Sequence, residues 1–254
     1  MRILIVILLV MVSSFASSRE IEAVVGWAKP PYIVQDGSSG FEIELVRQVL
    51  ASLGHELVPV FVPYGRSMRM MEDRNAEMGL TMNASQNIDL AILSDPYVTY
   101  QNVAVSLKQR TLQIESLSDL KGLSVIAFQT ASQVLGPEFS RAVEKTNGYL
   151  EVPEQYRQVR MLLLGSVDVA VMDINIFEHF KRQMPCARQA QTTIHFLFDA
   201  IPYSAAIRDP VLRSQFNDVL AQFKADGRYQ QLLDRFGLIN QVELQPENRG
   251  FASL

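Results

Sequence analysis

The chain has 254 residues, with 23 Lys and Arg against 27 Asp and Glu, a formal charge of −4. That mild acidity excludes the concentrated basic face that nucleic-acid binding requires. A lone cysteine, Cys186, excludes an intramolecular disulfide, so burial alone has to hold the fold together.

The chain opens with Arg2, an apolar run from Ile3 to Val12, and Ser13-Ser14-Phe15-Ala16. The run is about half the roughly 20 residues a membrane-spanning helix needs. A basic start, a short apolar core and a small-x-small end read as a secretory signal peptide over 1–16, cut after Ala16. No cysteine stands near that cut, so no lipid anchor is expected, and the mature chain is expected to be a soluble protein of an export compartment.

Ile21 to Gly26 then reads as a strand. Phe41 to Leu53 places Leu45, Val46, Val49, Leu50 and Leu53 at amphipathic-helix spacing, with Gly54 placed to end the helix. Leu57 to Val62 is the next strand, and Pro59 inside it points to an edge or a bulge. A helix carrying Met68 and Met71 follows, then a strand running from Gly79 into a loop of small polar residues. The alternation restarts with strands at 123–128, 149–152 and 168–172, and with helices after Thr130, over 153–164 and after Asp173. Strands interleaved with helices indicate α/β architecture with mainly parallel sheets flanked by helices.

Two such runs imply two lobes. Further strands at 194–199 and 203–207 and helices at 210–225 and 227–236 are too few for a third domain, so they return to complete the first lobe. The expected division is 17–103 plus 201–237 for lobe 1 and 104–200 for lobe 2, with 238–254 as a C-terminal extension. The crossings are expected near 104–108 and 198–203. Ligands of open parallel sheets bind beyond the carboxyl ends of the strands, so two facing lobes would share a cleft.

In order, the chain carries Trp27-Ala28-Lys29-Pro30-Pro31-Tyr32, Gly40-Phe41-Glu42-Ile43-Glu44-Leu45, Ser94-Asp95-Pro96-Tyr97, Ser118-Asp119-Leu120-Lys121-Gly122, Gly165-Ser166-Val167-Asp168 through Asp173, and Ala225-Asp226-Gly227-Arg228-Tyr229. Through these landmarks it resembles the bacterial extracellular solute-binding proteins of family 3, over about Ile21 to Gly237. The resemblance implies the type II two-lobe periplasmic binding protein fold. It also implies a monomer that captures a small polar solute, an amino acid or something like one, for an ABC permease. A membrane sensor as partner is the alternative.

In that family an Arg seven positions before the Ser of the Ser-x-Pro-Tyr turn clamps the ligand's α-carboxylate. Here that position is Asn87, which offers a neutral hydrogen bond in place of a charged, two-pronged one. Arg66 is a possible substitute, or else a solvated helix residue. Thr81 and Asn83 share the loop with Asn87. Asp173 matches the family carboxylate that receives an ammonium group, and it equally suits an N-cap for the following helix. Trp27 and Tyr32 stand where aromatic cleft walls are placed, although Trp27 suits a core role too. Gln129, Thr130 and Ser132 form the strand-to-helix turn of the second lobe, where backbone N–H groups can receive an anion or simply cap the helix.

His55, His179 and His195 have no metal-ligand spacing with one another or with Cys186. No nucleophile elbow, phosphate loop or dinucleotide fingerprint is present. No metal, cofactor or enzyme activity is therefore expected. The scaffold also hosts cyclohexadienyl dehydratases, for which Glu42, Glu44 or Asp173 could supply an acid or base.

Overall fold

The computed structural model describes residues 18–26, 28–34, 39–63, 66–86, 88–184 and 190–240. The leader, Trp27, Asn87, Cys186 and the chain from 241 onward lie outside the described residues, and with them the readings placed there.

The first run comprises β1 (Glu20–Val25), α1 (Phe41–Ser52), β2 (Glu56–Phe61), α2 (Arg66–Glu72), β3 (Met78–Met82) and β4 (Val98–Tyr100). The second comprises β5 (Asn102–Leu107), β6 (Val125–Phe128), α3 (Ala131–Val134), α4 (Gly136–Val143), β7 (Tyr149–Val152), α5 (Gln155–Leu163), β8 (Val169–Asp173), α6 (Ile174–Gln183) and β9 (Thr192–His195). The chain then returns through β10 (Ile201–Ile207), α7 (Pro210–Ala225) and α8 (Arg228–Phe236).

Two five-stranded sheets result, ordered β2-β1-β3-β10-β4 and β7-β6-β8-β5-β9. In each, three strands pair in parallel, as the strand–helix alternation requires, and the crossing strands add an antiparallel half. Pro59 stands in β2, an edge strand, where its missing donor costs no ladder bond on the outer side. α1 buries Leu45, Val46, Val49 and Leu50 completely. Its entry needs glycine: Gly40 has φ 118°, and a Cβ there would lie 2.4 Å from the Tyr32 carbonyl oxygen.

One expectation needs correcting. The first crossing between sheets falls at Gln101, where β4 ends and β5 begins, and not at 104–108, which lies in β5 and the turn after it. Val98 to Leu107 carries no Gly or Pro to mark the break, because the chain passes straight from one sheet into the other. The second crossing spans 196–200, since β9 occupies 192–195.

The crossings are fastened together. Gln101 Nε2 donates to the Phe198 carbonyl at 2.8 Å, and its backbone N–H donates to Asp173 Oδ2 at 2.9 Å. One cluster of buried side chains runs from the first sheet to the second and includes Tyr32, Tyr100, Val103, Met172 and Leu238. Beyond α8, Asn175 Oδ1 accepts the Ile239 N–H at 2.8 Å and Arg182 donates to the Gly237 carbonyl at 2.9 Å. The residues just after α8 therefore strap the first lobe to α6 of the second. Among the described residues, no helix is long and apolar enough to cross a membrane.

Candidate functional site

The carboxyl ends of most parallel strands converge on a cleft between the two sheets. Gly26 follows β1, Thr81 and Met82 end β3, Phe128 to Thr130 end β6, and Pro153 follows β7. An inner chamber of about 310 Å³ and an outer one of about 650 Å³ share Gly26, Ala28, Lys29, Pro153 and Gln155. The inner volume lies within the range of about 300–1,000 Å³ typical of small-molecule sites.

Two facing threonines line the inner chamber in left-handed backbone conformations: Thr81 at φ 57° and Thr130 at φ 67°. This conformation is costly for a β-branched residue and persists where surrounding contacts over-determine it. At Thr81 those contacts are plain. Its hydroxyl donates to Glu42 Oε2 at 2.7 Å, and its N–H donates to the Tyr97 hydroxyl at 3.0 Å.

Glu42 is the hub of that side. It sits in the first turn of α1 with 0% exposure, and its oxygens also accept the hydroxyls of Tyr97 and Tyr100. The Lys29 ammonium lies 3.8 Å from Glu42 Oε1 and 4.8 Å above the Tyr100 ring. Burial, and then the Glu42 charge, hold the Tyr97 and Tyr100 phenols well above their ordinary value, so both remain donors. Burial lowers the Lys29 ammonium despite the carboxylates of Glu42 and Asp173 nearby.

The second lobe supplies its own carboxylate to the turn after β6. Glu151, on β7, accepts the Thr130 N–H at 2.7 Å, the Ser132 N–H at 2.8 Å and the Tyr149 hydroxyl at 2.8 Å. Burial pushes the Glu151 carboxyl up, but these donors outweigh it and leave it below the usual range. The N–H groups expected to face an anionic ligand are thus engaged inside the lobe.

The residues proposed from sequence separate into groups. Thr81, Gln129 and Thr130 line the inner chamber together. Ser132 lies just behind it, on Glu151. Arg66 opens α2 as an exposed side chain; its neighbours Ser67 and Met68 line the chamber and it does not. Asn83 closes its own turn, accepting from the N–H and hydroxyl of Ser85 at 3.1 and 2.7 Å.

Tyr32 and Asp173 lie beside the first crossing between the sheets and line neither chamber of the cleft. Tyr32 is fully buried and donates to Asp173 Oδ1 at 3.1 Å while accepting from Asn175 Nδ2 at 2.9 Å. Asp173 caps α6 through the N–H groups of Asn175 and Ile176, at 2.9 and 3.0 Å. Although it ends a parallel strand, it pairs with Asn102, and that register places it at the first crossing.

Lys29, Gln86, Tyr100, Gln155 and Tyr203 also line the inner chamber, and sequence reasoning did not select them. Lys29 and Glu42 stand within two of the quoted landmarks. For Lys29 and Gln86 the available signal was their place in the turns that follow β1 and β3. Among the described residues, no group of His, Cys, Asp and Glu could hold a metal ion.

The fold has many solved counterparts. The chain is similar to an ancestral arginine-binding protein bound to arginine, at 22% identity and TM-score 0.64, covering 85% of this chain and 97% of that one. It is similar to the ligand-binding core of GluR0 in complex with L-glutamate, at 15% identity and TM-score 0.68, covering 87% and 99%. A third similar structure is an ancestral amino-acid-binding protein described as a precursor of cyclohexadienyl dehydratase, at 20% identity and TM-score 0.64, covering 85% and 95%. No curated protein matches by sequence. These likenesses establish the two-lobe periplasmic binding protein fold. Residues 23–239 match a family outright, and the chain belongs to the bacterial extracellular solute-binding proteins, family 3.

Proposed function

We propose that the protein captures a small polar solute, amino-acid-like in size and in carrying a carboxylate, between its two lobes. In this reading the chain is exported to the periplasm and works as a monomer that presents its ligand to an ABC permease. The observation that carries the proposal is the inner chamber itself. It is built from both lobes at their strand ends, with Thr81 and Thr130 held left-handed on opposite walls.

Binding fits the site better than catalysis. The buried acids Glu42 and Asp173 have their oxygens engaged by protein donors, which leaves neither poised to take a substrate proton. Glu44 pairs with Arg47 and Gln48 on the flank of α1. Ser106 and His195 do form a hydrogen-bonded pair at 2.9 Å, with His195 Nδ1 donating to the Ile114 carbonyl. Ser106 is buried within β5, however, and does not open on the cleft.

A ligand that touches both walls only when they approach shifts the lobes towards closure by its differential affinity. Gln101 and residues 196–200 would act as hinges. Small-angle scattering with a solute first found by thermal-shift screening should show a smaller radius of gyration at saturation. An unchanged radius with a saturating ligand would count against closure.

A further inference from the structure

Recognition of a free α-amino acid needs two opposite charges in one cavity, a cation or donor cluster for the carboxylate and an anion for the ammonium. Among the described residues, the inner chamber offers only the first. Asp173 lies at the first crossing, Glu42 has no exposure, and Glu151 is held by two backbone N–H groups and a phenol. Glu154 reaches only the outer chamber and is exposed to solvent.

Lys29 is different. It lines both chambers, and its ammonium lies beyond hydrogen-bond distance of Glu42, whose oxygens are already taken by the hydroxyls of Thr81, Tyr97 and Tyr100. Lys29 is thus ion-paired with Glu42 but not locked to it by a short hydrogen bond, and its ammonium can turn to a ligand's carboxylate. Around it stand the neutral amides of Gln86, Gln129 and Gln155. Phe128 and Val134 add apolar wall inside, beside Thr81 and Thr130, and Phe61, Tyr156 and Phe180 add it outside, beside the exposed Glu154.

We propose that the cleft takes a small carboxylate with an apolar or aromatic body and no α-ammonium group, its carboxylate held by the Lys29 ammonium. This rests on the reading of the cleft as a solute site and narrows it. The test is calorimetric titration of the full chain with four matched solutes: 3-phenylpropanoate, L-phenylalanine, 2-phenylethylamine and 3-phenylpropanamide. The same titrations are run on Lys29→Arg and on Lys29→Met/Glu42→Gln, a pair of changes that removes both charges together and so avoids stranding Glu42.

The expected result is binding of 3-phenylpropanoate, with L-phenylalanine about tenfold weaker or worse and the amine and amide weaker still. Lys29→Arg should retain that binding, and the charge-free variant should lose it by at least about tenfold. Equal or tighter binding of L-phenylalanine or the amine would overturn the inference while leaving the cleft a solute site. So would undiminished carboxylate binding by the folded, charge-free variant. If 3-phenylpropanoate and a thermal-shift series of aliphatic and aromatic carboxylates all fail while other solutes bind, the inference falls alone. If no solute of any class binds, the solute-site reading falls with it.

Discussion

Glu42→Ala is expected to lower the free energy of unfolding by about 3–5 kcal/mol, the range for removing one partner from a buried ion pair. The side chain has 0% exposure and accepts from Thr81, Tyr97 and Tyr100 while neutralising Lys29. Truncation strands three hydroxyls and an ammonium, and leaves Thr81 without the bond that offsets its left-handed backbone. Glu42→Gln keeps the shape and part of the acceptor capacity, so its loss should be smaller. Urea unfolding of both variants checks this. A loss below about 1 kcal/mol for Glu42→Ala, the usual range for surface changes, would show that Glu42 does not organise this wall.

The second large effect concerns pH. Burial raises the Asp173 carboxyl to about 6, against the pull of its donors, the N–H groups of Ile176, Gln101 and Asn175 and the Tyr32 hydroxyl. The folded state therefore holds this proton more tightly than the unfolded chain, whose carboxyl titrates near the ordinary 3.8. Asp173 then contributes stability that is fully present below the unfolded value and is lost as pH rises through about 6. At about 1.36 kcal/mol per unit, that loss is on the order of 3 kcal/mol. Asp173→Asn cannot titrate, and Asn caps a helix about as well as Asp. Wild-type stability should thus fall relative to Asp173→Asn between about pH 4 and 7, as read by urea unfolding at each pH. Parallel profiles would show that the hinge carboxylate does not govern this dependence.

The strand–helix alternation made the parallel half of each sheet legible, because period-2 runs such as Ile21 to Val25 alternate with amphipathic stretches such as α1. The join of β4 to β5 was not legible. Val98 to Leu107 has no punctuation at Gln101, since the break is between sheets and not in the backbone. Thr81, Gln129 and Thr130 could be picked out because they follow strand ends. The burial of Glu42 could not, since an acid in the first turn of a helix ordinarily faces water and complements the helix dipole. Only the packing of Tyr97, Tyr100 and Thr81 over α1 reveals its burial. Asp173 was open to two readings from sequence, and its register against Asn102 places it at the hinge, with a helix to cap. Glu151 carries no local signal, as residues 21 and 19 positions away supply its backbone donors.

The central claim is that the cleft between the lobes holds the ligand. Gly26 lines both chambers, and a Cβ built on it meets no heavy atom within 4 Å. Gly26→Trp therefore has room for its Cβ and adds a large ring at a position that lines the cleft. Native mass spectrometry of wild type and Gly26→Trp, each incubated with one metabolite extract and desalted, is the most direct measurement. The account predicts a small-molecule mass on wild type and none on a Gly26→Trp protein that melts as wild type does. The same bound mass on both would contradict it.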